Sequence, residues 1–145
     1  MFKNVLVPRD GSALAGRAVD AGIALARVTG ARLTAVTVIE PFHVFAFNPD
    51  HLGYSLATYL EHARAEAARI LQDVADRAAT AGIACATLRR EADHPHDAII
   101  EVAHAEGCDV IAMASHGRRG IAAVLLGSVT QKILTHATIP VLVYR

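Results

Sequence analysis

The sequence predicts an α/β fold: one domain built on a five-stranded parallel sheet with helices on both faces. Three observations lead there. Short apolar runs alternate along the chain with longer stretches of helical periodicity. Each of the first three helical stretches closes on a glycine, at Gly30, Gly82 and Gly107. Strands that alternate with helices in this way call for parallel pairing with right-handed crossovers.

Taken in order, Asn4 to Val7 is a compact apolar strand. Ser12 to Thr29 reads as a helix with Ser12 as its cap and Leu14, Ala18, Ala21, Leu25 and Val28 as its apolar stripe. Arg32 to Val38 is a β-branched strand. A connection marked by proline and glycine runs from Glu40 to about Ser55, too polar at its end for a strand. A long helix from Leu56 to Thr80 carries the stripe Leu56, Leu60, Ala63, Ala67, Ile70, Val74 and Ala78. The third strand is Ala84 to Arg89, and the helix from Pro95 to Glu106 turns Ile99, Val102 and Ala103 inward. Val110 to Ala114 is the fourth strand. A glycine-rich loop, a helix from Ser128 to about His136 and a last strand, Val141 to Tyr144, complete the chain. The arrangement is Rossmann-like and doubly wound, with expected strand order 3-2-1-4-5. No internal repeat or second domain interrupts residues 1–145.

Bulk numbers exclude several functions. A chain of 145 residues suits one domain with its own core. Lys+Arg and Asp+Glu both number 14, so the formal charge is zero. Near neutral pH this offers no field for nucleic acid or an anionic membrane. The first apolar run is too short for a secretory leader, and no stretch approaches the ~20 apolar residues that span a bilayer. A soluble, cytoplasmic protein is the expectation. Cys85 and Cys108, with no CxxC pair, read as two reduced, buried thiols.

In such a fold the ligand site lies beyond the carboxyl ends of the strands. Three segments meet there: Pro8-Arg9-Asp10-Gly11, Val38-Ile39-Glu40, and Ala114 to Ser128. The last is the most informative: Ala114-Ser115-His116-Gly117-Arg118-Arg119-Gly120, continuing to Gly127-Ser128-Val129-Thr130. Gly117 and Gly120 permit positive φ and close approach of backbone to a ligand. Gly127-Ser128 opens a helix whose first amides favour an anion such as phosphate. Ser128 and Thr130 add hydroxyls, His116 a ring donor, and Arg118 and Arg119 charges that can close over phosphates. The same residues also fit a plain glycine-rich connection with a serine cap and two solvated arginines. Neither a Walker A loop nor GxGxxG occurs.

These residues resemble the universal stress protein family, whose ATP-binding members carry G-x2-G-x9-G-[ST] after the fourth strand. Gly117 and Gly127-Ser128 match that pattern, and Ala114 stands in place of its first glycine. The resemblance extends to Asn4-Val5-Leu6-Val7-Pro8 with Asp10-Gly11-Ser12, to Asp109-Val110-Ile111-Ala112-Met113, and to Ile139-Pro140-Val141-Leu142-Val143. It implies ATP as ligand, with Mg2+ as a candidate companion. Adenine would lie by the backbone of Val38, ribose by Asp10, phosphates against Gly117 to Gly120 and the Ser128 helix start, and Met113 would line the pocket. It also implies a homodimer through the last strand at Val141, Leu142 and Val143. Arg9 is a second departure from the family's small or medium residue: its guanidinium either pairs locally or reaches the ligand. Asp10 has an alternative role as a cap for the turn at Gly11-Ser12.

No catalytic constellation emerges. Ser12, Ser115 and Ser128 lack a GxSxG elbow, and His116 beside Ser115 does not by itself make a nucleophile–base pair. His94 and His96 flank Pro95 without the spacing of a helical metal site, and read as a solvated helix start. His43, His51, His62, His104 and His136 read as surface or interface residues. The leading expectation is a dimeric, ATP-responsive regulatory module acting on a protein partner the sequence does not identify, with slow hydrolysis at most. The alternatives are a protein-interaction module with a vestigial pocket, and an enzyme of the wider adenine-nucleotide α-hydrolase-like group.

Overall fold

The computed structural model describes residues 1–41, 55–117 and 125–145. The expected connection between Glu40 and Ser55 therefore falls mostly outside the described residues, as do Arg118, Arg119 and Gly120. Nine elements follow in order: β1 (Asn4–Pro8), α1 (Ala13–Thr29), β2 (Arg32–Ile39), α2 (Leu56–Thr80), β3 (Cys85–Glu91), α3 (Pro95–Ala105), β4 (Val110–Ala114), α4 (Ser128–His136) and β5 (Val141–Tyr144). All strand pairs are parallel, in the order β3-β2-β1-β4-β5.

The alternation of side chains along central β1 splits the core into two layers. Val5 and Val7 face α1 and α2, where they meet Val19, Leu33 and Val74. Leu6 faces α3 and α4, where it meets Val36, Ile99, Ile111 and Ile133. Of these, Leu6, Leu33, Ile111 and Ile133 are wholly buried. Among the described residues no helix is long and apolar enough to cross a membrane. Cys108 is buried, whereas Cys85, expected inside, is half-buried on the outer strand. Burial pushes both thiols up, so both are neutral at physiological pH.

Helix α1 differs from expectation in its inward face. Ser12 caps it, accepting from the Ala15 amide at 3.1 Å, and Gly30 closes it with φ 72°. The buried face, however, runs through Ala15, Ala18, Val19, Gly22, Ile23 and Ala26, while Val28 is 86% exposed. The predicted stripe of larger residues is rotated off the sheet because the small ones allow closer approach. Gly22 marks the tightest point: a Cβ there would stand 2.5 Å from Val7 Cγ1. In α2 the stripe holds from Ala67 onward, but Leu56 is exposed, since that first turn projects past the sheet.

At the amino ends of the strands a buried polar knot ties the sheet together. The Asp109 carboxylate accepts from the amides of Lys3 and Asn4. Asn4, 2% exposed, donates to the Glu106 carbonyl at 3.0 Å and accepts from the Thr34 hydroxyl at 2.9 Å.

Gly22→Ala tests the close helix–sheet contact. Helix propensity alone favours alanine by about 1 kcal/mol. Overpacking against Val7 outweighs it, and a net loss of about 1–2 kcal/mol is expected. Thermal unfolding should show a midpoint several degrees lower; an unchanged or raised midpoint would refute the contact.

Candidate functional site

A cleft of about 520 Å³ opens where β1, β2 and β4 end, within the range of small-molecule sites. Every described residue predicted for the site lines it: Pro8, Arg9, Asp10, Val38, Met113, Ala114, His116, Gly117, Gly127, Ser128, Val129 and Thr130. The strand ends bring these chain-remote segments together, as the fold class requires.

The first wall is the exit of β1. Asp10 Oδ1 accepts from the Ser12 amide at 2.9 Å, so the carboxylate does cap the turn. Its Oδ2 lies against Gly117, so close that a Cβ at 117 would collide with it. Gly117 is thus glycine for close approach, and its φ is not in the positive region that the sequence suggested. Arg9 resolves toward local pairing: its Nη1 donates to the Ser12 carbonyl at 2.5 Å, and its fork lies over Gly16 at the start of α1.

The second wall is the end of β2. The carbonyl of Val36 accepts from the Arg9 amide at 2.9 Å, and the last β1–β2 pair is Pro8 with Val36. Backbone groups alternate sides along a strand. Val38 therefore turns its amide and carbonyl toward the same side as Val36, beyond the end of β1 and into the cleft. Met113 is 5% exposed, packs mainly in the core and shows the cleft one edge.

The third wall is the junction of β4 and α4. Ala114 is a strand residue, 7% exposed, with its methyl packed beside Ala15 and Ala18. The substitution of glycine at this position therefore carries no backbone strain. Thr130, expected as a hydroxyl donor to a ligand, instead donates to the Ala114 carbonyl at 2.9 Å and is 2% exposed. Gly127, not Ser128, occupies the cap position, with φ −61° and ψ 155°. Its amide donates to the Ser115 carbonyl at 2.7 Å, which removes one amide from the expected phosphate cradle. The next three, of Ser128, Val129 and Thr130, stand in the first turn where an α-helix offers no carbonyl. Among the described residues no side chain caps that turn. A dipole end of this kind attracts negative charge.

Other residues of the cleft escaped the sequence reading. Lys132 lies one turn past Ser128 on the same helix face and lines the wall with it; the i, i+4 spacing was the available signal. From α2 come Tyr59, Ala63 and Glu66, with the Tyr59 hydroxyl donating to the Glu40 carbonyl at 3.3 Å. No local pattern places α2 there. His96 is not the solvated residue expected: its side chain is 14% exposed, pairs with Asp97 Oδ1 at 3.2 Å and stands 5.8 Å, ring to ring, from His136. Among the described residues no group of three His, Cys, Asp or Glu side chains is placed to hold a metal ion.

Comparison with known proteins agrees with this fold. The family model described as "Universal stress protein family" matches residues 1–145. A Thermus aquaticus protein, named for its place in the 3′ region of a QAH/OAS sulfhydrylase gene, is 33% identical over 145 residues, covering all of both chains. The solved structure of MJ0577, a protein of Methanocaldococcus jannaschii, superimposes with a TM-score of 0.84 at 25% identity, over 99% of this chain and 96% of that one. A universal stress protein solved in complex with cAMP superimposes with a TM-score of 0.70 at 26% identity, covering 99% and 97%. With the model spanning every residue and a relative matched from end to end, the chain belongs to the universal stress protein family.

Proposed function

We propose that this chain binds an adenine nucleotide, ATP foremost, in the cleft at the carboxyl ends of β1, β2 and β4, and works as a regulatory module rather than a dedicated enzyme. The observation that carries the reading is the start of α4: three first-turn amides, uncapped by any described side chain, on the wall of a cleft of nucleotide size. Phosphates would lie on the amides of Ser128, Val129 and Thr130, with the Ser128 hydroxyl and Lys132 beside them. Adenine would meet the Val38 backbone, and ribose the rim at Asp10. Mg2+ is held chiefly by substrate phosphates and one or two carboxylates; Asp10 is the carboxylate nearest the Gly117 turn. The 26% identical structural neighbour solved in complex with cAMP supports an adenine ligand for this chain. The regulatory reading expects slow hydrolysis at most.

Assembly follows from the sheet edge. β5 pairs only with β4 among the described strands. Val141 packs inward against the core, whereas Leu142 and Tyr144 are 43% and 36% exposed. A second copy would therefore meet Leu142, Tyr144 and the strand backbone, with Val141 and Val143 supporting from behind. Exposed edges of this composition invite pairing, and a two-fold axis suits a short self-complementary strand.

Calorimetric titration of nucleotide-free protein with ATP, with and without Mg2+, tests the ligand. Micromolar binding is expected; no heat at high micromolar ATP would reject it and leave the interaction-module alternative. Gly117→Val drives a side chain into Asp10 and should abolish measurable binding. Ser128→Ala should weaken binding by about tenfold, the worth of a hydrogen bond to a charged group. Affinity unchanged in both variants would reject the phosphate position.

Leu142→Asp should convert the dimer to monomer in light scattering, with the circular dichroism spectrum kept. A wild-type monomer at tens of micromolar, or a variant that stays dimeric, would reject the edge contact.

A further inference from the structure

Ser115 is the residue between the cleft and the frame. It is 6% exposed. Its amide donates to the Tyr144 carbonyl at 2.8 Å, and its carbonyl accepts from the Gly127 amide at 2.7 Å. Both backbone groups are thus spent on neighbouring elements, which fixes where the side chain emerges. Its Oγ lies 3.2 Å from Nδ1 of His116, the next residue, whose ring lines the cleft.

A neutral imidazole carries one hydrogen, and the bond made by one nitrogen decides the state of the other. When a hydroxyl donates to Nδ1, the hydrogen sits on Nε2, and Nε2 becomes a donor. When Nδ1 donates to the hydroxyl, Nε2 presents a lone pair that repels a phosphate oxygen. Beside Asp10, the acceptor of the β1 wall, the α4 wall of the cleft offers the first-turn amides of Ser128, Val129 and Thr130, all donors. Only the first arrangement adds to their field.

We infer that Ser115 is a positioning residue for the nucleotide site: its hydroxyl donates to His116 Nδ1 and holds the ring as an Nε2–H donor toward the ligand's phosphates. The inference rests on the nucleotide reading above. It assigns different work to the two buried hydroxyls at this junction. Thr130 serves the frame, bonding a strand carbonyl, whereas Ser115 serves the ligand through its neighbour's ring. His116 then donates to an anion without needing a charge of its own.

The test is a double-mutant cycle in ATP affinity, joined to ring-nitrogen NMR at His116. Ser115→Ala should weaken ATP binding about three- to tenfold, and His116→Gln by about tenfold. The double variant should be no weaker than His116→Gln alone, because Ser115 acts only through that ring. Ser115→Thr, which keeps the hydroxyl, should restore affinity. In nucleotide-free wild-type protein at pH 8 the ring should hold its hydrogen on Nε2, and Ser115→Ala should turn it into a mixture of tautomers. The Nδ1–H tautomer in the wild type overturns the inference without any variant. So do additive losses, or a Ser115→Ala affinity equal to wild type while wild type binds ATP. A wild-type protein that binds no ATP fails the nucleotide reading itself and takes this role with it.

Discussion

The bond from the Thr130 hydroxyl to the Ala114 carbonyl fixes the place where fold and cleft meet. It spans sixteen residues of chain and lies wholly inside the protein. Ala114 is the last residue of β4, where the ladder to β5 ends, and Thr130 is in the first turn of α4. The pin therefore decides where that turn starts and which way its amides point. The Gly127 amide on the Ser115 carbonyl, and the Ser115 amide on the Tyr144 carbonyl, complete the joint. A buried hydroxyl left without a partner costs about 1–3 kcal/mol. The joint thus forms with the fold rather than on ligand arrival, and its amides are pre-organised in the sense that lowers the cost of binding.

The rest of the chain divides its polar groups to the same effect. At the amino ends of the strands, side chains satisfy one another and the backbone: Asn4 bonds the Thr34 hydroxyl and the Glu106 carbonyl, and Asp109 accepts from the amides of Lys3 and Asn4. The helices of one face are closed by their own serines, α1 by Ser12 and α2 by Ser55. The helices of the other face, α3 and α4, have no side-chain cap among the described residues. Pro95 at the start of α3 removes one donor by having none, whereas α4 keeps all three of its first-turn amides. The Ser12 and Ser55 hydroxyls each accept from one first-turn amide, whereas α4 keeps all three of its own beside the cleft.

The order of elements was legible because it depends on local signals. Helix periodicity, the glycines at 30, 82 and 107 and the run of β-branched strands each act within a few residues, and the observed boundaries differ from expectation by two residues or fewer. The face of α1 was not legible. A periodicity count weighs apolar bulk, whereas the sheet contact selects smallness at Gly22 and Ala18. In the cleft, the segments at strand ends could be placed from topology alone, and Asp10, Val38 and Gly117 fell where that rule puts them. Tyr59 and Glu66 could not, because their presence depends on how far α2 extends past the sheet. The hydroxyl of Thr130 was read as a ligand donor since sequence shows a donor but not the carbonyl sixteen residues earlier that accepts from it.

The three small residues of the β4–α4 segment make different physical demands, and this decides what the departure at Ala114 means. Position 114 asks only for a small side chain in extended backbone, and alanine supplies it while packing against Ala15 and Ala18. At position 117 a Cβ would run into Asp10 Oδ2, so the carboxylate held by the Ser12 amide would have to shift. Position 127 is nearly as strict: a Cβ there would stand 3.1 Å from His116 Cα and 3.4 Å from the Ser115 carbonyl oxygen. The two strict positions bring β1's exit and α4's start against the same turn, and both are glycine in this chain. Neither is glycine for the sake of positive φ, since Gly117 does not adopt it and Gly127 has φ −61°. A loss of the first glycine therefore leaves the shape of the cleft intact, whereas a side chain at 117 or 127 would force apart the walls that the Thr130 pin holds together.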